Sequence, residues 1–132
     1  MTEQAKKRIL VVDDEPDVLT YLTAFLEDNG YQVNTAVDGK DGFEKAKSGV
    51  PDLIALDINM PEETGVRMFR NLQEDEATAH IPVIIVTGIS YDFKRFIESR
   101  RQVHAPAGYF EKPIDRGKLL EKIAEILSQK RV

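Results

Sequence analysis

The chain predicts an α/β fold: a parallel five-stranded sheet with helices on both faces, in a three-layer sandwich. Two observations carry this. Short strand-like runs recur five times, and most are continuously apolar rather than alternating, as suits strands covered on both sides. Between them lie longer segments with apolar residues at helical spacing. Strands that alternate with helices imply crossover connections and parallel pairing.

The elements follow in order. Ile9-Leu-Val-Val12 is the first strand, and it stops abruptly at Asp13-Asp14. Pro16 suits a first helical position, and Val18, Leu22, Phe25 and Leu26 then share one face until Asn29-Gly30 ends the helix. Tyr31 to Ala36 alternates weakly, as a second strand. Asp38 caps a short helix carrying Phe43 and Ala46 and closed by Gly49. Leu53 to Leu56 is the third strand, ending at Asp57, and Val66, Phe69 and Leu72 mark the third helix. Val83-Ile-Ile-Val86 is the fourth strand, ending at Thr87-Gly88. Ile89, Phe93, Phe96, Ile97 and Val103 mark a fourth helix that stops before Pro106. Tyr109-Phe110 is the last strand, ending at Glu111-Lys112-Pro113. Asp115 caps a final helix with Leu119, Leu120, Ile123, Ile126 and Leu127 on its core face.

The 132 residues fit one domain, with no repeat, low-complexity stretch or linker. Hydrophobic residues at 42% and charged residues at 31% are a globular balance rather than a disordered one. The absence of Cys excludes a disulfide scaffold and thiolate metal sites. A net charge of −5 gives no general attraction to nucleic acid or anionic lipid. No apolar run approaches a membrane span, and the segment from Met1 to Arg8 is polar, unlike a signal peptide. A cytoplasmic domain is the expectation.

In an open parallel sheet the site lies beyond the carboxyl ends of the strands, where the winding reverses. The polar residues ending the runs are Asp13 and Asp14, Asp57, Thr87 and Lys112. The sandwich therefore gathers three carboxylates, one hydroxyl and one ammonium from distant parts of the chain. Two carboxylates about 4 Å apart repel by roughly 4 kcal/mol at an effective dielectric of 20. Such a cluster either takes up protons or binds a cation. Oxygen ligands without His or Cys select a hard ion, and partial protein coordination favours Mg²⁺ over Ca²⁺. Cationic groups beside a hydroxyl can receive phosphoryl oxygens. No Gly-rich phosphate loop is present and no Ser or Cys stands beside a His, so the nucleophile is a carboxylate and the product an acyl phosphate.

Asp13-Asp14, Asp57-Ile-Asn-Met-Pro61 with Gly65, Thr87 and Lys112-Pro113, in this order and spacing, resemble the receiver domain of bacterial two-component response regulators. The resemblance runs from about Arg8 to Leu127. It implies a flavodoxin-like (βα)5 fold with strand order 2-1-3-4-5, and a single receiver domain over 1–132 with no output domain. It implies that Asp57 accepts a phosphoryl group from a sensor histidine kinase or a histidine phosphotransfer protein. Asp14, Asp57 and the backbone carbonyl of Asn59 would bind Mg²⁺, with Asp13 acting through water. Lys112 would pair with phosphoryl oxygens, and the Lys112–Pro113 bond would be cis. Thr87 would move toward the phosphate and Tyr109 would swing inward, reshaping the face of the fourth helix, fifth strand and fifth helix. Asn59 and Ile89 flank the site and would tune hydrolysis. Ile89 is apolar and positions no attacking water, so a long-lived phosphorylated state is expected.

Gly88 stands where this family usually has Ala, the stretch from Thr87 to Lys112 is a few residues longer than usual, and Ala105-Pro106 replaces a common Gly-Ala. A phosphatase with an aspartyl nucleophile needs a second acid two residues on, where this chain has Asn59. A flavodoxin-like cofactor module needs a hydroxyl- and Gly-rich loop after the first strand, where Asp13-Asp14-Glu15 repels phosphate. A receiver that is never phosphorylated and acts as an adaptor through protein–protein contacts is the remaining alternative. Asp13 and Asp14 also fit a helix cap ahead of Pro16, and Tyr109 also fits a core aromatic. His80 and His104 read as surface residues. Lys94, Arg95, Arg100 and Arg101 give the fourth helix a basic face, either solvated or a docking face for an acidic partner or a second copy of this chain.

Overall fold

The computed structural model describes residues 6–58, 60–87 and 106–129. The fourth helix expected between Ile89 and Val103 lies outside them, with Asn59, Gly88, the basic residues from Lys94 to Arg101, His104 and Ala105. The described chain runs β1 (Arg8–Val12), α1 (Pro16–Asp28), β2 (Gln32–Ala36), α2 (Gly39–Gly49), β3 (Leu53–Asp57), α3 (Thr64–Glu74), β4 (Val83–Thr87), β5 (Gly108–Glu111) and a C-terminal helix (Arg116–Gln129). A single turn of 3-10 helix (Pro61–Glu63) leads into α3. All four pairings are parallel, and the sheet order is β2-β1-β3-β4-β5. Among the described residues, no helix is long and apolar enough to cross a membrane.

Each apolar run divides between two cores because successive side chains leave a strand on opposite faces. Leu10, Val12, Ile54, Leu56 and Ile85 pack with Ala46 of α2 and Met68, Phe69 and Leu72 of α3. Ile9, Val11, Leu53, Ala55, Ile84 and Val86 pack on the other face with Leu22 and Leu26 of α1 and Leu119, Ile123 and Leu127 of the C-terminal helix. Only β2, at the sheet edge, shows the weaker alternating pattern that its sequence carries.

The helix ends follow local chemistry. Pro16 opens α1, and Glu15, rather than Asp13 or Asp14, occupies the N-cap without a side-chain capping bond. The alternative of a capping role for the two aspartates therefore gives way: Asp13 is 2% exposed and turned into the strand-end crevice. Asp38 caps α2 by accepting from the Asp41 N–H, and Asp115 accepts from the Lys118 N–H at the start of the C-terminal helix. The left-handed residue that closes α2 is Val50 (φ 42°), not Gly49. A β-branched residue there carries strain of about 1–3 kcal/mol. The site is pinned at both ends, since Val50 N donates to Ala46 O (3.0 Å) and Arg8 Nη2 donates to Val50 O (3.0 Å).

Two glycines allow close approach of backbone at the functional end. A Cβ on Gly39 would stand 2.1 Å from the Thr64 carbonyl oxygen, and one on Gly65 would stand 2.5 Å from the Asp57 carbonyl oxygen. These contacts seat the start of α2 against the start of α3, and the start of α3 against the end of β3.

Candidate functional site

The carboxyl ends of β1, β3 and β5 converge. Asp13 follows β1 and is tied to the neighbouring strand by its N–H, which donates to Ala36 O at 3.1 Å. Asp57 is the last residue of β3, in register with Val86 of β4. Lys112 follows β5, and its peptide bond to Pro113 is cis. Sheet order sets Asp13 beside Asp57, since β1 lies next to β3 and the chain winds outward in opposite directions from that pair, and Lys112 reaches them from β5, beyond β4.

Asp13 and Asp57 are buried, at 2% and 3% exposure, while Asp14 is exposed. One carboxylate oxygen from each of the three lies within 4.8 Å of the others. The Lys112 Nζ donates to Asp13 Oδ2 at 3.1 Å, to Glu15 Oε1 at 3.0 Å and to Asp57 Oδ2 at 3.3 Å. Burial works against the charged ammonium, but the hydrogen bonds to Glu15 and Asp13 and the charges of Asp57 and Asp13 outweigh it. The Lys112 pKa is therefore held above the ordinary lysine value. Among the described residues one cation thus stands among four acidic residues, which leaves an excess of negative charge there.

That excess, the hard oxygen donors and the spacing of Asp13, Asp14 and Asp57 fit a small divalent cation. The ammonium contacts two of the same carboxylates, Asp13 and Asp57, so a bound ion would have to share them with Lys112.

The remaining residues fall as follows. Thr87 is the last residue of β4, in register with Glu111; its side chain lies outside the described residues. Asn59 and Ile89 also lie outside them. The Tyr109 ring is partly buried against the core on the α2–α3 face, with its hydroxyl out of solvent. His80 is exposed in the turn before β4. Glu15 was legible only as a repulsive charge beside Asp13-Asp14. Its pairing with Lys112 depends on how far β5 stands from β1, which no local pattern encodes.

The sequence model of the response regulator receiver domain matches residues 9–124. The chain belongs to this family. The receiver domain is 40% identical over 121 residues to Protein PilH of Pseudomonas aeruginosa, covering 92% of this chain and 98% of that one. It is 36% identical over 126 residues to the chemotaxis protein CheY of Treponema pallidum, covering 93% and 84%. Among solved structures it is similar to a CheY-like receiver domain protein from Methanospirillum hungatei JF-1, with a TM-score of 0.82, 29% identity and coverage of 95% and 96%. In this receiver domain the acidic cluster is consistent with a phosphoacceptor site.

Proposed function

We propose that this receiver domain is a phosphoacceptor in a two-component relay, with Asp57 as the residue modified. The observation that carries the reading is the Lys112 ammonium, 3.3 Å from the Asp57 carboxylate and shared with buried Asp13. A carboxylate oxygen of Asp57 attacks the phosphorus of a phosphohistidine on a sensor kinase or phosphotransfer protein. The O–P bond forms as the N–P bond breaks, and the imidazole leaves with the electron pair and takes up a proton. Lys112 holds the transferring oxygens, neutralising charge that develops on them. Asp14, Asp57 and the backbone carbonyl of Asn59 would hold Mg²⁺, with Asp13 acting through water, and the ion would supply further positive charge to those oxygens.

The acyl phosphate adds charge and acceptor oxygens at the crevice. Thr87 reads them as a donor, and Tyr109 carries the change to the face of β5, the C-terminal helix and the helix expected between Ile89 and Val103, where a downstream partner or a second copy docks. The chain turns over no separate substrate: it catalyses its own modification and, weakly, its loss. One receiver domain and a cytoplasmic place of action complete the reading.

Incubation with acetyl phosphate and Mg²⁺, followed by intact mass measurement, should show the gain of one phosphoryl group. Asp57→Asn should gain none. An unmodified wild type would overturn the reading and favour an adaptor that works by contact alone. The decay of the phosphorylated form gives a second prediction. Ile89, one of the two residues assigned to tuning hydrolysis, has an apolar side chain that offers no group to position an attacking water, and the modification should persist for minutes or longer after donor removal. Decay within a few seconds would contradict those assignments.

A further inference from the structure

The Lys112 ammonium has three protons and three carboxylate partners, and these partners are not equivalent. Asp13 is 3% exposed at its side chain, and its second oxygen, Oδ1, accepts from the Glu15 N–H at 2.9 Å. Asp57 is equally buried and stands farthest from the ammonium. Glu15 is 61% exposed, reaches the ammonium over the shortest of the three distances, and sits at the N-cap of α1 without a capping bond of its own. Its backbone is therefore fixed while its carboxylate is free to turn out to water. When an anion enters beside Asp57, a partner of Lys112 has to yield. Asp13 is locked from both sides, so Glu15 is the one that leaves at least cost.

We propose that Glu15 is a positioning residue that holds Lys112 partly away from Asp13 and Asp57 and exchanges with phosphoryl oxygens for the ammonium. This rests on the phosphoacceptor reading but adds a residue that reading does not need. Two consequences have opposite signs. Without the Glu15 carboxylate, Lys112 is drawn more fully onto Asp13 and Asp57, and a divalent cation competes less well for them. An anionic phosphodonor, by contrast, meets one repulsive charge fewer and an ammonium with one competitor fewer. General damage to the crevice would weaken both.

The test uses Glu15→Gln and Glu15→Ala in the full chain, beside wild type. Calorimetric titration with Mg²⁺ alone should give a dissociation constant raised about two- to fivefold, the range that an exposed ion pair spans. In single-turnover phosphorylation at saturating Mg²⁺, the acetyl phosphate concentration that gives half the limiting rate should fall by a similar factor, with the limiting rate little changed and a shallower dependence on salt. Glu15→Asp, which keeps the charge on a shorter stem, should lie between wild type and Glu15→Ala. Unchanged constants, or two constants weakened together, would overturn the role of Glu15. Failure of the phosphoacceptor reading is distinct from this: wild type then takes up no phosphoryl group, while the Mg²⁺ titrations still decide whether Glu15 governs Lys112.

Discussion

Lys112→Met should lower the stability of the receiver domain by about 2 kcal/mol and slow phosphoryl uptake from acetyl phosphate by about ten- to a hundredfold. The stability loss arises because Asp13 and Asp57, each 3% exposed at the side chain, lose the cation they share. Breaking a fully buried pair costs about 3–5 kcal/mol, and the 22% exposure of Lys112 reduces that figure. The rate loss follows from removing a preorganised positive group next to the transferring oxygens.

The pH dependence has a definite sign. The folded-state pKa of Lys112 is raised, so its stabilising contribution is complete below the ordinary lysine value of about 10.4 and is lost as pH rises through the higher folded value. The gap in urea midpoint between wild type and Lys112→Met should therefore stay constant from about pH 6 to pH 9. Saturating Mg²⁺ should narrow it, because a bound cation stabilises the folded variant by mass action. A gap that is absent without Mg²⁺ would show that Lys112 does not hold the crevice together.

The second large effect concerns Gly39 and Gly65. A methyl group at Gly39 meets Thr64 O at 2.1 Å and Thr64 C at 2.7 Å. At Gly65 it meets Asp57 O at 2.5 Å and Ile58 Cα at 2.8 Å. The closest opposing atoms are backbone, so no rotamer change relieves the contact. Gly39→Ala and Gly65→Ala should each cost about 2–3 kcal/mol in urea denaturation. Gly65→Ala should also slow modification, since the contact lies on the carbonyl of Asp57 itself. Gly49→Ala is the control: nothing lies within 4 Å of its Cβ, and reduced chain entropy should leave it neutral or more stable by about 0.5 kcal/mol. Loss of stability in all three variants alike would show that close approach of backbone is not what sets Gly39 and Gly65 apart.

Much of the fold was legible because its signals are local. Ile9–Val12, Leu53–Leu56 and Val83–Val86 are continuous apolar runs, and each became a strand buried on both faces. Asp38 and Asp115 cap where their spacing to the next helix implied, because the capping bond spans only three residues. The boundaries shifted by a residue or so: β2 starts at Gln32 rather than Tyr31, and Asp57 is within β3. Val50 was not legible as a helix terminator. Its left-handed backbone is held by Arg8, which lies far off in sequence.

The amino-acid sequence by itself determined the alternation of strands and helices, the acidic and basic residues that end the strands, and the family to which the chain belongs. The first two are written in neighbouring residues, through apolar periodicity and caps, and the family in short motifs that keep a fixed order along the chain. Only the tertiary structure decided that Lys112 is shared among Asp13, Glu15 and Asp57, that Asp13 is buried while Asp14 is exposed, and that Gly39 lies against Thr64. Those outcomes depend on distances between elements that pack against each other across the sheet. A side chain's partner, unlike its secondary structure, is set by where the rest of the chain comes to lie.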